Sequence, residues 1–356
     1  MLNKKISPPL LAVLAAVLFG FSTPLAKWML GETDSIMLAA FLYLGSGLGV
    51  ALLLWIQRKA AKDPPVEAKI ARKDIPWLAG AVACGGVAAP VLLMIALKHS
   101  SAASASLLLN FEGVATALIA ALLFKESVGK RTVLAITLIT LASILLSWNP
   151  TGSWEFSLGA LGILAACALW GLDNNFTRNI SAKNPLEIVA IKGLAAGTFS
   201  LILALALSRP LPDVRQLLLA MLIGFICYGC SIVLYVLALR RLGTARTSTL
   251  YGIAPFVGAV VSLFLFKEQP QFQFILALPL MLIGAWLMLK ENHSHRHLHP
   301  AVTHEHAHTH PDEHHHHVHA DGSVFIGTHS HVHSHEVLVH EHAHTPDIDH
   351  RHVHEG

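Results

Sequence analysis

The chain predicts an all-α membrane protein with ten transmembrane helices in two inverted five-helix repeats, followed by a largely disordered histidine-rich tail. Three observations carry that prediction: ten long apolar stretches, one segment that occurs twice, and a one-sided distribution of lysine and arginine. The boundaries they set are 1–148 for the first repeat, 149–292 for the second and 293–356 for the tail.

The apolar stretches run at about 9–30, 35–56, 75–98, 101–124, 130–148, 156–177, 186–208, 214–239, 245–266 and 271–290. Each is long enough to cross a ~30 Å hydrocarbon core at 1.5 Å per helical residue. The first follows Lys4 and Lys5 and has no convincing cleavage site, so it reads as a retained helix rather than a signal peptide. Composition agrees. The chain is 54% hydrophobic and 13% charged, with a mean hydropathy of +0.56, whereas a soluble domain carries about 25% charged residues. The net charge of +3 comes without the basic-aromatic interleaving of a nucleic-acid surface. Cys84, Cys167, Cys227 and Cys230 all fall in apolar runs, which argues against a secreted disulfide framework.

Residues 96–126 recur as 238–268 at a constant offset of 142, with ten identities in 31 ungapped positions. Both copies open Ala-Leu-basic (Ala96-Leu97-Lys98, Ala238-Leu239-Arg240) and close Leu-Phe-Lys-Glu, ending at Glu126 and Glu268. Weaker matches pair Phe19-Gly20 with Trp170-Gly171, and Ala142 with Gly284. Internal duplication of hydrophobic helices marks secondary transporters. Taking alternate loops from the N-terminus, seventeen Lys and Arg fall on one side and five on or near the other. That bias puts both termini in the cytoplasm. Five helices is an odd number, so the second copy enters the membrane upside down.

Ten helices in two such halves, with Phe-Lys-Glu closing the fourth and ninth, resemble the EamA-type members of the drug/metabolite transporter superfamily over about residues 8–290. The resemblance implies a substrate cavity between the halves, lined mainly by helices one, three, four, six, eight and nine. It also implies a proline near the start of helices four and nine. Pro255 supplies it in the second copy, where the first has Gly113. The expected partners are a small-molecule solute and the lipid bilayer, with a homodimer left open and no nucleic acid. No cofactor is required, and no nucleophile–base pair or phosphate loop suggests an enzyme.

The candidate substrate-binding residues are Glu112, Asn110, Asp173, Asn174, Trp170 and Tyr251. Glu112 leads, because a charge at the bilayer centre costs at least ~2.5 kcal/mol and needs a partner or a wet cavity. Two roles suit it: a proton-coupling carboxylate or a cation ligand. The blander alternative is a packed residue hydrogen-bonded with help from Asn110. Asp173, Asn174 and Asn175 are consecutive and cover much of a helical turn, so at least one should face inward. Asp173 could equally pair with Arg178 or cap the helix end. Lys192 reads as snorkelling to the interface rather than neutralising a buried acid. Trp28, Tyr43, Tyr228 and Tyr235 read as interfacial anchors, Lys98 and His99 as decoration of an outer hairpin. Gly45, Gly47 and Gly49 read as close helix packing. Pro24, Pro90, Pro255 and Pro279 should interrupt their helices. A metal site from Cys227, Cys230 and Glu112 is the less favoured use of those cysteines.

The tail holds 23 of the 24 histidines, largely in His-x-His alternation, and His-Glu-His-Ala-His-Thr occurs twice, at 304–309 and 340–345. Alternate residues of an extended chain share one face, and neutral imidazole suits Zn²⁺, Ni²⁺ or Co²⁺. The candidate metal ligands are His304, His306, His308, His310, His314, His329, His331, His333, His335, His340, His342 and His344. Low apolar content predicts disorder without metal, with one metal-stabilised hairpin conceivable around Asp321-Gly322. Three functions follow in order: a metabolite or drug-like solute carrier with a metal-binding regulatory tail, a divalent-metal transporter, and a membrane-anchored metal store.

Overall fold

The computed structural model describes residues 7–60, 70–124, 130–148, 157–180, 183–242 and 250–289. In the tail it describes the backbone of 293–299, 302–309, 328–335 and 338–344. Helices occupy all ten apolar stretches among these residues. They are α1 (Pro8–Gly20 and Ser22–Met29), α2 (Ser35–Ala60), α3 (Ile75–Ala81, Val82–Ala88 and Ala89–Leu97) and α4 (Ala102–Leu108 and Phe111–Phe124). Then come α5 (Lys130–Ser147), α6 (Leu158–Arg178), α7 (Pro185–Ala206), α8 (Val214–Ile223, Gly224–Cys230 and Ser231–Leu242), α9 (Ala254–Phe266) and α10 (Phe272–Leu289). Among the described residues six spans are long and apolar enough to cross a membrane, and three shorter helices are also apolar. Large apolar side chains face outward, Leu158 at 83% and Phe264 at 82% exposure. Lipid, not water, is the solvent such a surface requires. The chain is a multi-pass membrane protein.

Side chains supply the helix starts. Asp34 accepts from Ile36 N, Ser101 from Ser104 N, Asn184 from Leu186 N, and Asp213 from Gln216 N at 2.8 Å. Each satisfies a backbone donor that the first turn leaves free. The expected prolines do sit at interruptions. Pro24 follows the break at Phe21, Pro90 follows the middle section of α3, and Pro255 follows the turn before α9. Pro279 instead lies inside α10. Helix α4 breaks at Leu109–Asn110 without any proline, where Asn110 Nδ2 donates to Leu107 O at 2.9 Å and occupies a carbonyl beside the break. The middle sections of α3 and α8 are π-helical, Val82–Ala88 and Gly224–Cys230, and are offset by the same 142 residues as the repeat. Such widened turns leave carbonyls free and recur at functional sites.

The packing repeats as well. Helix α1 lies against α8 and α9 as α6 lies against α3 and α4, while α2 pairs with α7 and α5 with α10. The weak Gly20–Gly171 correspondence has a physical meaning here. A Cβ on Gly20 would come within 2.7 Å of Ala254 O, and one on Gly171 within 2.9 Å of Thr116 N. Each glycine lets α1 or α6 approach the backbone of α9 or α4. The α2 glycines do the same on a larger scale. A Cβ on Gly47 would sit 2.4 Å from Leu194 N of α7, and one on Gly45 2.1 Å from Met221 O of α8. Gly47→Ala is therefore expected to force the α2–α7 backbones apart and to cost roughly 1–3 kcal/mol. Thermal unfolding in detergent would show it as a lowered midpoint; an unchanged midpoint would remove close approach as the reason for this glycine.

The tail follows α10. Its described backbone forms β1 (His293–His299), β2 (Val302–Thr309), β3 (Thr328–His335) and β4 (Leu338–His344). Strand β1 pairs antiparallel with β4, and β2 with β3. The strict period of two in these segments is the period of a strand. The conceivable hairpin at 321–326, and His310 and His314, lie outside the described residues.

Candidate functional site

The polar interior is built where α4, α6 and α7 meet the π-helical section of α3. Glu112 sits in the first turn after the α4 break. Its Oε1 accepts from Asn174 Nδ2 of α6 at 2.9 Å. The same amide donates to Thr116 Oγ1 at 3.1 Å, and Thr116 returns a bond to Glu112 O. Asn175 is buried and faces the other way, donating to Gly171 O at 2.8 Å and Thr116 O at 3.1 Å. Adjacent asparagines thus divide the work: one reaches the carboxylate, the other ties α6 to α4.

Lys192 does not snorkel. Its Nζ lies 2.5 Å from Asp173 Oδ1 and 3.1 Å from Thr177 Oγ1, and Thr177 itself donates to Asp173 Oδ1 at 2.8 Å. The two charged side chains are only 17% and 10% exposed, and an acid buried to that degree holds its countercharge more strongly than the interface attracts it. Asp173 is thus tied to Lys192 and Thr177; the side chain of its other expected partner, Arg178, lies outside the described residues. A Cβ on Gly85 would fall 1.9 Å from Asp173 Oδ2, so the carboxylate occupies space that this glycine leaves open.

The π-helical turn at Gly85 provides an acceptor. Gly85 O receives Tyr43 OH at 2.9 Å and Trp170 Nε1 at 3.0 Å, joining α2, α3 and α6. Trp170 is therefore fixed beside the polar network. Tyr251 lies in a second cluster, its ring centroid 4.8 Å from Tyr235 and 5.6 Å from Phe19, with Ser231 Oγ 3.4 Å from its hydroxyl. Phe19 also stacks edge-on against Tyr228, which touches Tyr43. Of the expected interfacial anchors, Trp28 is half exposed, but the tyrosines line the interior. Asn110 faces Leu107 O and Met281 Sδ of α10 and makes no bond to Glu112. Lys98 and His99 are exposed on their turn.

The structure therefore gathers Glu112, Asn174, Asp173 and Trp170, sets Tyr251 in the adjoining aromatic cluster, and turns Asn110 away. Thr116, Thr177, Tyr43, Gly85 and the pairing of Lys192 escaped sequence reasoning. The Gly85-Gly86 pair inside a long apolar helix was the one local signal for the widened turn. Among the described residues Glu112 has no ion pair, while Asp173 is matched by Lys192. No cluster of three or more His, Cys, Asp or Glu assembles among them, so Cys227, Cys230 and Glu112 do not converge on one point. All four cysteines are free thiols.

A second polar arrangement lies at the turn between α3 and α4. Lys27 Nζ donates to Leu97 O and, at 2.8 Å, to Ser100 O. Glu268, at the end of the duplicated segment, accepts from Ala102 N at 3.0 Å and Ala103 N at 3.1 Å. Helix α1 and the stretch after α9 thereby hold one turn from two sides.

The sequence pattern of the EamA-like transporter family matches residues 7–148 and again 157–290. The chain belongs to the EamA-like transporter family. An uncharacterized transporter of Methanothermobacter thermautotrophicus (strain Delta H) is 26% identical over 272 residues, spanning 72% of this EamA-like chain and 78% of the relative. One solved crystal structure shares the fold, with a TM-score of 0.57 at 20% identity, covering 80% of this chain and 96% of that one. The double match spans the two arms that pack symmetrically, and this EamA-like chain is a membrane transporter of the drug/metabolite type.

Proposed function

We propose that the protein is a secondary transporter of the plasma membrane that exports a small metabolite or drug-like solute by alternating access. In this reading ten spans form two inverted five-helix halves, and both termini lie in the cytoplasm. The observation that carries it is the acid at 112. Glu112 of α4 meets Asn174 of α6 where the two family matches touch, and it has no ion-pair partner among the described residues. With Asp173 neutralised by Lys192, the network holds one carboxylate available to a proton or to a cationic group of the solute, at a depth where an idle charge is costly.

Alternating access requires each face to close in turn. In this reading the 97–103 turn lies outside, and Lys27 and Glu268 grip that turn, an arrangement suited to a closed outer side. The tail serves as a regulatory binder of divalent transition metal. Its histidine content also favours a second reading, in which the metal itself is the cargo.

Inside-out vesicles containing the full chain, incubated with a deproteinised cell extract and assayed by mass spectrometry, test the first reading. Uptake of at least one organic solute beyond that of protein-free vesicles is expected, and it should persist after deletion of 293–356. Uptake of radiolabelled nickel or zinc, with no organic solute, would replace it by the second reading.

A further inference from the structure

The chain has four tyrosines, and ring contacts join all of them through Phe19. The ring centroids step from Tyr235 to Tyr251 at 4.8 Å, to Phe19 at 5.6 Å, to Tyr228 at 5.8 Å and to Tyr43 at 5.9 Å. Phe19 and Tyr43 belong to the first family match and the other three to the second, so the row of rings crosses between the halves. No neighbouring pair lies flat face to face, the angles running from 37° to 77°. Phe19, Tyr43, Tyr235 and Tyr251 are only partly buried, which leaves ring surface for a ligand. Three of the hydroxyls are committed. Tyr43 OH donates to Gly85 O at 2.9 Å, Tyr251 OH lies 3.4 Å from Ser231 Oγ, and Tyr228 OH is bonded to Ser22. The cluster therefore offers the interior π surface more than hydroxyl groups.

Charge in the same interior is unbalanced. Among the described residues this network sets two carboxylates, Glu112 and Asp173, against one ammonium, and that ammonium, Lys192, is bound to Asp173. The Glu112 carboxylate acts electrostatically on both Tyr43 and Tyr251, so the acid and the row of rings border one space. An anionic solute would meet this acid with no arginine or lysine fork to receive it. A hard metal ion takes six or more oxygen ligands, which ring carbons do not supply. A cation with an apolar body suits both parts. The negative face of an aromatic ring attracts it by about 0.5–2 kcal/mol, and the carboxylate supplies the countercharge. We propose that the transported solute is an organic cation with a flat apolar body, its positive group held by Glu112 and its body by Tyr251, Tyr235 and Phe19. This names the substrate class of the carrier and rests on the carrier reading.

The charge of what inside-out vesicles accumulate from a deproteinised cell extract tests this, with the full-length protein in the membrane. The solutes taken up should be cationic. Excess N-methylquinolinium should suppress their uptake, while quinoline-2-carboxylate, an anion on the same ring system, should not. Tyr251→Leu should raise the N-methylquinolinium concentration for half-inhibition roughly 3- to 30-fold, the worth of one ring–cation contact. Tyr251→Phe keeps the ring and should match the unaltered chain within about twofold. Phe19→Leu repeats the measurement on the adjoining ring should Tyr251→Leu fail to fold. Uptake confined to neutral or anionic solutes would overturn the organic cation while leaving a carrier. Equal losses in Tyr251→Leu and Tyr251→Phe, or none in either, would overturn the part given to the rings. Uptake of no organic solute at all would overturn this inference and the carrier reading together.

Discussion

Glu112→Gln should abolish solute uptake by inside-out vesicles, lowering it roughly 100-fold or more, while leaving the protein as stable as before or more so. The substitution keeps an oxygen for Asn174 Nδ2 to donate to and removes only the charge. A charge at the bilayer centre costs ~2.5 kcal/mol or more, so its removal relieves the folded state. Loss of function with a gain in stability is the behaviour of a group retained for its chemistry rather than its packing. Uptake and the detergent unfolding midpoint, measured on the same preparation, separate the two roles. Wild-type uptake by Glu112→Gln would make Glu112 a structural residue. A collapsed midpoint would do the same.

Lys192→Met should have the largest effect on stability. It leaves Asp173 buried without its countercharge, and breaking one side of such a pair costs ~3–5 kcal/mol. Asp173→Asn combined with Lys192→Met should recover most of that loss, because replacing both partners of a buried pair is often nearly neutral. Unfolding midpoints of the two single variants and the double variant give the coupling directly. If the single losses are small and simply add, Lys192 and Asp173 do not act as a pair, and the charge count that singles out Glu112 fails.

Much of the membrane architecture was legible because lipid imposes a length and a polarity on each helix, and both are visible residue by residue. Among the described residues each apolar stretch contains a helix, and the glycines of α2 were recognisable as packing sites because small residues in an apolar helix have few other uses. Pairings across helices were not legible. Lys192 and Asp173 are nineteen residues apart on separate helices, and the sequence offers a lysine within reach of the interface as readily as one beside an acid. The α4 break was hidden for a different reason. Proline was the expected signal, but Asn110 holds the carbonyl of Leu107 beside the break, so Gly113 need not be proline. The paired π-helical turns have no local signature beyond Gly85-Gly86. In the tail the period of two was plain, but nothing in one strand names its partner.

A transporter built from two inverted halves requires equivalent positions of the repeat to lie on opposite sides of the membrane. Lys98 and Arg240 are such a pair, 142 residues apart in the duplicated segment. Lys98→Cys and Arg240→Cys, each introduced singly with Cys84, Cys167, Cys227 and Cys230 replaced by serine, can be probed in intact cells with a membrane-impermeant maleimide. Labelling of Lys98→Cys from outside, with Arg240→Cys labelled only after permeabilisation, is the expected result. Labelling of both positions from the same side would contradict the inverted arrangement, and with it alternating access around Glu112.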